Sequence, residues 1–542
     1  MKSSRRAFLH HLSAATLLAG VPSWARAQAQ ALADQAQVDT DSGQSITIAL
    51  NPEPPVLVCF ANTSGTSVVT STKIIEGLLE YDHQLKPQPQ LATSWQVSED
   101  GLRYTFELRQ GVTWHDGAPF SADDVVFSIQ TVKKYHPRGA ATFAHLESIT
   151  ALDSHTVVLE LNRPAPYLLL ALSAGETPIL PAHRYTLEQA LQNPLNNAPI
   201  GTGPYRFKEW VRGSHLIYER NPNYWLEGQP QVQQLIFRMI PDSAARFNGF
   251  KSGAIDLGTD SPVALSEIKN LSQSEHIAVT TRGYEYNATI TALEFNLDRE
   301  ELAKPVVRQA IAHALNRDQI KQIAFYGYAD TTVAPISKKS FPHYHLAIDD
   351  PYPYDIKRAN QLLDEAGYPK QPNGFRFQLQ LHANPFNTGF KRTAAYIRST
   401  LARIGIQAIL HDQEPGSYIR SVYTQRDFDL TVSGVSTMFD PTVGLQRIYW
   451  SKSFTPDIPF SNANHYQNPE VDALLEAAAI EMDETKRAEL FKAFQRIVVH
   501  DIPSIALVQV NDVTLFHHRL RGFDTTATGV RGNLAQLEVI HA

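Results

Sequence analysis

A segment in the C-terminal third of the chain carries side chains suited to gripping a small charged molecule. Asp440 precedes Pro441, so its carboxylate could pair with a cationic group, and capping the turn before the proline is an open alternative. Arg447 offers a planar guanidinium that matches a carboxylate through two hydrogen bonds, although many such arginines form surface ion pairs. Trp450 could stack on a ligand or belong to the core. These residue types predict binding and not bond breaking.

Histidines occur at two places with spacing that could suit a metal ion. His343 and His345 are alternate residues that could converge on one ion, and His517 and His518 are adjacent. No carboxylate or cysteine cluster completes either pair locally, and a metal site needs such further ligands. We therefore expect surface histidines, no metal site and no cofactor.

Motifs of hydrolytic enzymes are not found in this sequence. There is no Gly-x-Ser-x-Gly nucleophile elbow and no His-Glu-x-x-His zinc motif. Cys59 is the single cysteine, so it can form no internal disulfide, and no Cys-His pairing is evident around it. We expect a protein that is not an enzyme, with a secreted hydrolase as the disfavoured alternative.

The elements that would position these residues alternate between strand and helix. Residues 45–50 and 104–108 alternate apolar and polar side chains as half-buried strands do. Ser121 can cap a helix whose first turn holds two aspartates, and Pro305 begins a helix predicted to end near Gly327. Further helices are predicted over 356–366, over 391–404, and from residue 468 onward with an interruption near Asp483. This interleaving predicts an α/β architecture with several lobes.

Length and charge limit the possible partners. The chain has 542 residues, of which 43% are hydrophobic and 19% charged, so it can bury a large core in several domains. Its formal net charge of −7 argues against nucleic acid and anionic lipid as partners.

The N-terminus has the features of an export signal. Arg5 and Arg6 form a twin-arginine pair, residues 12–21 are apolar but too few to span a membrane, and Ala27 ends a small-x-small cleavage pattern. We expect a twin-arginine signal peptide over residues 1–27 and a flexible leader over 28–43. Because Cys59 lies far past this cleavage point, we expect a protein free in the periplasm and not a lipoprotein.

Several motifs occur in one order along most of the chain. They include Trp114-His115-Asp116-Gly117, Gly201-Thr202-Gly203-Pro204-Tyr205, Asn221-Pro222-Asn223-Tyr224-Trp225, Val307-Arg308-Gln309-Ala310-Ile311, Glu365-Ala366-Gly367-Tyr368 and Asn468-Pro469-Glu470-Val471-Asp472. Their residues mainly suit turns and close backbone approaches, as at Gly201 and Gly203. As a set they resemble the extracytoplasmic solute-binding proteins of family 5, which serve ABC importers of peptides, nickel, opines and related solutes.

The resemblance implies the two-lobed periplasmic-binding-protein fold of type II, cluster C, with a solute enclosed between hinged lobes. It places lobe I at 44–86, 202–294 and 505–542, an additional domain of that lobe at 87–201, and lobe II at 295–504. The hinge would then lie at Phe295, Asn296 and Pro503.

The resemblance also indicates which residues line the cleft. Two loops are expected to do so, joined by the three candidates named first: Asn62, Thr63, Ser436, Thr437, Met438, Phe439, Asp440, Arg447 and Trp450. In peptide-binding relatives an aspartate of the second loop pairs with the peptide amino terminus. Here Thr437 stands near that position, and Asp440 follows three residues later.

The implied function is the capture of a peptide or peptide-like solute for delivery to an ABC permease with its cytoplasmic ATPase. A monomer is expected. Alternatives within the family are a nickel chelate, an opine or a sugar, and a chaperone-like or sensory role is a further one. Closure of the lobes onto the solute would be the mechanism, because a ligand shifts the population toward the form that it contacts best.

Overall fold

Strands and helices interleave along the described chain, as the sequence predicts. The computed structural model describes residues 45–540. The strands are β1 (Ser45–Leu50), β2 (Leu79–Tyr81), β3 (Pro87–Pro89), β4 (Ala92–Val97), β5 (Arg103–Leu108), β6 (Leu146–Asp153), β7 (Thr156–Leu161), β8 (Tyr205–Val211), β9 (His215–Arg220), β10 (Gln234–Met239), β11 (Leu257–Gly258), β12 (Ile277–Thr280), β13 (Thr289–Phe295), β14 (Ala329–Thr331), β15 (Phe377–Ala383), β16 (Ile406–His411), β17 (Leu430–Ser436), β18 (Ser504–Val510), β19 (Thr514–His517), β20 (Leu520–Arg521) and β21 (Glu538–Val539).

The α-helices follow the same order. They are α1 (Gly65–Ser71), α2 (Ala122–Tyr135), α3 (Gly139–Thr142), α4 (Ser243–Ser252), α5 (Leu265–Leu271), α6 (Glu300–Ala303), α7 (Pro305–Ala314), α8 (Arg317–Phe325), α9 (Ile356–Glu365), α10 (Thr388–Arg403), α11 (Pro415–Ile419), α12 (Pro441–Gly444), α13 (Gln446–Tyr449), α14 (Pro469–Ala478) and α15 (Glu484–Asp501). None of these helices within residues 45–540 is long and apolar enough to cross a lipid bilayer.

Three larger sheets organise the part of the chain from Ile46 onward, which forms one compact unit. A seven-stranded sheet, which defines lobe I from here on, has the order β12-β19-β11-β1-β10-β9-β8. A six-stranded sheet, which defines lobe II, has the order β14-β18-β13-β17-β15-β16. A four-stranded antiparallel sheet, β4-β5-β7-β6, lies within the predicted additional domain. In lobe II, β13 is central and antiparallel to both β17 and β18.

The chain passes twice between the two larger sheets. It leaves the sheet of lobe I after β12 and enters that of lobe II at β13, so the first crossing spans 281–288. It returns between β18 and β19 through residues 511–513. The expected lobe boundaries at 294/295 and 504/505 therefore fall inside β13 and β18, two strands of the same sheet.

Most of the predicted helices are confirmed, with one difference in extent. Asp483 caps α15 through Lys486 N at 2.9 Å, which confirms the interruption predicted there. The helix that begins at Pro305 ends at Ala314, so the prediction that it reaches Gly327 was wrong. The break arises because Leu315 is extended and the Asn316 side chain accepts a hydrogen bond from Gln319 N at 2.9 Å, capping a separate helix.

Burial explains why these layers hold together. One apolar cluster joins the seven-stranded sheet, the four-stranded sheet and the pair α14–α15, and a second fills lobe II.

Cys59 lies inside lobe I with no solvent exposure, and its Sγ donates to the carbonyl of Ala174 at 3.1 Å. Burial raises the pKa of this thiol to about 12. The predicted export signal (1–27) and leader (28–43) lie outside the described residues.

Candidate functional site

A cavity of about 180 Å³, called here the first cavity, lies among residues of lobe I, the additional domain, the first crossing and lobe II. Its walls combine hydroxyl, amide, aromatic and charged side chains. They include Thr63, Thr72, Glu80, Gln90, Arg138, Ser173, Glu176, Tyr284, Tyr286, Asn287, Met438, Phe439, Thr528, Arg531 and Asn533. Lobe II contributes Met438 and Phe439, so the loop after β17 closes the cavity against the rest.

The first predicted loop reaches this cavity through one of its two residues. Thr63 lines the cavity, just before α1. The Asn62 side chain accepts a hydrogen bond from Ser64 N at 2.9 Å, and Ser64 in turn caps α1 by accepting from Ser67 N at 3.3 Å. Asn62 therefore shapes the turn that presents Thr63.

The second predicted loop is fixed by its own hydrogen bonds. Ser436 Oγ donates to Asn287 Oδ1 at 2.5 Å and accepts from Met438 N at 3.0 Å. Met438 has a positive φ of 51°, which turns the chain so that Met438 and Phe439 both face the cavity. The Phe439 ring stacks on Tyr286, with ring centroids 6.1 Å apart. This contact joins the loop to the crossing segment.

Asp440 is placed away from the cavity and is fully buried. Its two carboxylate oxygens accept from Arg487 at 2.7 and 2.8 Å, and one also caps α12 through Thr442 N at 2.8 Å. Burial alone would lower the pKa of Arg487, but the attraction of Asp440 outweighs this and raises it. Thr437 is also buried, and its Oγ1 has no hydrogen-bond partner in the described part of the chain. Neither Thr437 nor Asp440 lines the first cavity.

Arg447 and Trp450 also lie outside the cavity wall. Arg447 Nε donates to the carbonyl of Gly444 at 3.2 Å. Burial raises the pKa of Glu294 to about 7, and the charge of Arg447 partly offsets that rise. Trp450 Nε1 donates to Glu476 at 2.8 Å. The structure therefore brings Thr63, Met438 and Phe439 together on the cavity wall, and the other predicted residues do not line it.

Three charged features of the cavity were not anticipated from sequence. Arg138 pairs with Glu176 at 2.6 Å, and Arg531 pairs with Asp260 at 2.7 Å. The third is Glu80. Burial raises the pKa of this carboxyl to about 7, because its effect outweighs that of the accepted hydrogen bonds, which lower the pKa. These residues come from separate segments of the chain and follow no motif, so sequence held no signal for their meeting.

The residues predicted as a hinge lie together within lobe II. Phe295 N donates to the carbonyl of Pro503 at 3.3 Å, so the end of β13 contacts the start of β18. The Asn296 side chain donates to the carbonyl of Phe428 at 2.9 Å. The two crossings between the sheets lie at the opposite ends of β13 and β18.

The histidines considered for metal binding have other neighbours. His343 lies 3.2 Å from Glu484, and a ring nitrogen of His345 lies 2.7 Å from the carbonyl oxygen of Ile336. His517 stacks on His276 with centroids 5.7 Å apart. Within residues 45–540, no cluster of three or more His, Cys, Asp or Glu side chains could hold a metal ion.

Comparisons with known protein families and proteins find similarity over most of this chain. Residues 86–456 match the family model "Bacterial extracellular solute-binding proteins, family 5 Middle". Heme-binding protein A of Haemophilus influenzae is 28% identical over 491 residues, covering 85% of this chain and 86% of that protein.

Two solved structures share the fold. The ABC transporter-associated periplasmic binding protein DppA from Helicobacter pylori, in complex with the peptide STSA, is 27% identical with a TM-score of 0.77, covering 92% of this chain and 98% of the other. NikZ from Campylobacter jejuni, in complex with Ni(L-His), is 26% identical with a TM-score of 0.77, covering 91% and 99%. The two lobes are thus those of periplasmic binding proteins, and the chain belongs to family 5 of the bacterial extracellular solute-binding proteins.

Proposed function

We propose that this protein captures a peptide-like solute in the first cavity and delivers it to the permease of an ABC importer. The observation that carries the proposal is the closure of a polar and aromatic cavity by the Met438–Phe439 loop of lobe II. Hydroxyl and amide groups from Thr63 and Asn287 can form hydrogen bonds with a peptide backbone. The similarity to DppA, whose structure contains a peptide, supports this solute class.

The mechanism follows from the closed arrangement. A solute bound first to lobe I gains contacts with Met438 and Phe439 when lobe II closes, and that differential contact shifts the population toward the closed form. We propose that the motion occurs at the crossings 281–288 and 511–513, and not at Phe295, Asn296 and Pro503. Permease subunits would recognise the closed surface, and no step breaks a covalent bond.

The proposal includes the cellular setting. The protein would be exported by its twin-arginine signal, cleaved after Ala27, and work as a monomer free in the periplasm beside a permease and its cytoplasmic ATPase. Family membership supports an extracytoplasmic binding role.

A ligand screen tests the solute class. Purified protein is heated with di- to tetrapeptides, opines, sugars, and Ni²⁺ with and without L-histidine. Peptides are expected to raise the melting temperature, since a ligand that binds the folded state stabilises it by mass action. Titration calorimetry with the stabilising peptide is then expected to give a stoichiometry of one peptide per chain. A rise with another class and none with any peptide would overturn the peptide assignment, and turnover of chromogenic peptides would support the hydrolase.

A further inference from the structure

A second cavity of about 460 Å³ adjoins the first one on the side of lobe I and the additional domain. Four residues line both cavities, so a single layer of side chains separates them: Glu80, Gln90, Gly532 and Asn533. Within this partition, Asn533 Nδ2 makes two long hydrogen bonds, both 3.3 Å, to Glu76 and to the Tyr224 hydroxyl. Bonds of that length are weak, so the bond that mainly holds the Asn533 side chain in place is the one that its Oδ1 accepts from Ala535 N at 3.0 Å.

Arg109 stands on the wall of the second cavity with its guanidinium held in a fixed orientation. Its Nε donates to the carbonyl of Gln90 at 3.0 Å, and its plane lies over the Trp225 ring, 4.0 Å from the centroid. Within residues 45–540, neither Nη nitrogen of Arg109 has a hydrogen-bond or ion-pair partner. A stacked, oriented guanidinium with free terminal donors is suited to binding a carboxylate through two hydrogen bonds.

Glu76, the buried carboxylate behind this wall, is already fully engaged. It accepts from Thr202 Oγ1 at 3.0 Å, from the Tyr224 hydroxyl at 2.7 Å and from Trp225 Nε1 at 2.9 Å. These bonds fix Trp225, which in turn supports Arg109. Glu76 therefore contributes to the orientation of the guanidinium without neutralising it.

The two cavities differ in the state of their arginines. In the first cavity Arg138 and Arg531 are each paired with a carboxylate. Of the arginines on the two walls, Arg109 alone has no carboxylate partner among the described residues. An anionic group on a solute is therefore matched best in the second cavity.

The small volume of the first cavity also favours a binding site that includes both cavities. A cavity of about 150 Å³ holds a benzene molecule, so the 180 Å³ of the first cavity suits a small group. A tripeptide is more than twice as large as benzene, and its two ends cannot both lie there.

We propose that the two cavities form one binding site, divided by Asn533, and that Arg109 binds the carboxylate of the solute in the second cavity. The inference rests on the proposed function, which supplies a peptide-like solute. The amino end would lie in the first cavity near Glu80, a carboxyl on the wall shared by the two cavities that has no arginine partner among residues 45–540. Lys73 is close enough to Glu80 to act on its charge, but its ammonium donates to Thr72 and to the carbonyls of Val530 and Gly532.

Calorimetry with Ala-Ala-Ala and its C-terminal amide at pH 7 tests the role of Arg109. Wild-type protein should prefer the acid by roughly tenfold or more, the effect of a charge-assisted hydrogen bond. Arg109→Gln should lose this preference while binding the amide as the wild type does. Arg103→Gln is the matched control, because Arg103 begins β5, the strand that ends just before Arg109, forms an exposed pair with Glu160 and lines neither cavity. It should keep the preference.

A second variant tests the shared site. Asn533→Phe fills the partition and should weaken Ala-Ala-Ala much more than Ala-Ala. An unchanged acid preference in Arg109→Gln, or equal losses of acid and amide, would overturn the role of Arg109. A wild-type protein that binds shorter peptides but not Ala-Ala-Ala would overturn the shared site and leave the proposed function standing. A wild-type protein that binds no peptide would remove both.

Discussion

At the scale of single residues, the fate of Asp440 shows what the sequence could and could not predict. The loop from Ser436 to Phe439 was expected at the site from the family resemblance. Arg487, which lies in α15 and is distant from Asp440 in sequence, donates two hydrogen bonds to the Asp440 carboxylate. Such a long-range partner leaves no local pattern, so the alternatives of ligand contact and turn cap could not be separated. The structure shows the cap, together with an unexpected ion pair.

This buried pair should matter greatly for stability. Replacement of Asp440 by asparagine leaves the Arg487 charge buried without its partner, so we expect a loss of about 3–5 kcal/mol in the free energy of unfolding. Glu160→Gln breaks an exposed pair and should cost about 1 kcal/mol or less. Urea denaturation of both variants measures the difference. A loss of similar size in the two variants would contradict the structural role of Asp440.

Protonation of His136 should weaken the fold in acid. Burial, together with a smaller effect of the charge of Arg138, lowers the pKa of this side chain to about 3. Its Nδ1 accepts from Arg138 N at 3.2 Å, a bond that protonation there would break. Because the folded pKa lies below the ordinary value of 6.5, the contribution is complete above pH 6.5 and is lost as the pH falls toward 3.

The expected slope is about 1.4 kcal/mol per pH unit for one proton. Melting temperatures of His136→Gln, measured from pH 7 to pH 4, should fall less steeply than those of the wild type. His500→Gln is the control for the loss of a largely exposed histidine, and its melting temperatures should follow the wild-type curve more closely than those of His136→Gln. Parallel curves for wild type and His136→Gln would show that other groups govern the acid response.

At the scale of elements, Gly201 and Gly203 illustrate how a short motif fixes the packing of two segments. Both lie against the backbone of Ile74, where an added Cβ would come 1.8 Å and 2.6 Å from its carbonyl oxygen. The prediction of a close backbone approach at these glycines is confirmed. Because backbone atoms cannot turn aside as a side chain can, the join between lobe I and the additional domain depends on the missing Cβ.

Gly201→Ala should therefore be strongly destabilising, by more than about 3 kcal/mol, the range of severe backbone and overpacking changes. Gly416→Ala is the matched control, because an added Cβ there meets no atom within 4 Å. Since Gly416 lies in a helix, the control should be neutral or slightly stabilising. Soluble yield and thermal melting distinguish the two. Equal melting temperatures for the two variants would contradict the claim that the close approach of Gly201 to Ile74 requires a residue without a Cβ.

Helix ends were predictable where the signal is local, and sheet order was not. Asp483 and Gly367 were expected at helix boundaries, and the structure places them there, with Gly367 at a positive φ of 83°. The break before Asn316 was missed although an asparagine cap can be read from sequence, because the apolar pattern continues through it. The order of strands and the meeting of Glu80, Arg138 and Arg531 depend on contacts between distant segments, which no local pattern encodes.

At the scale of the whole molecule, the proposed motion would take place at the two crossings. The Tyr284 hydroxyl lies within hydrogen-bond distance of Thr259 Oγ1, Asp260 N and Thr514 Oγ1, which ties the first crossing to lobe I beside the second. Lys339 of lobe II donates to the carbonyl of Thr281. A change of backbone angles within these short segments would move one lobe as a rigid body relative to the other.

Small-angle X-ray scattering measures this motion directly. Addition of the peptide that raises the melting temperature most should reduce the radius of gyration, because the open form is more extended than the closed one. A peptide without effect on the melting temperature serves as the control and should leave the scattering curve unchanged. Identical curves with and without the bound peptide would contradict closure as the mechanism.

The burial of Cys59 has a practical consequence for following that motion. The natural chain holds one cysteine, which does not reach solvent and whose pKa of about 12 keeps it from ionising at neutral pH. Thiol-reactive dyes should therefore not react with the native protein. They should couple to a cysteine introduced on its surface, for example in place of the exposed Leu152. Optical reporters of solute capture can thus be built by a single substitution, with Cys59 left in place.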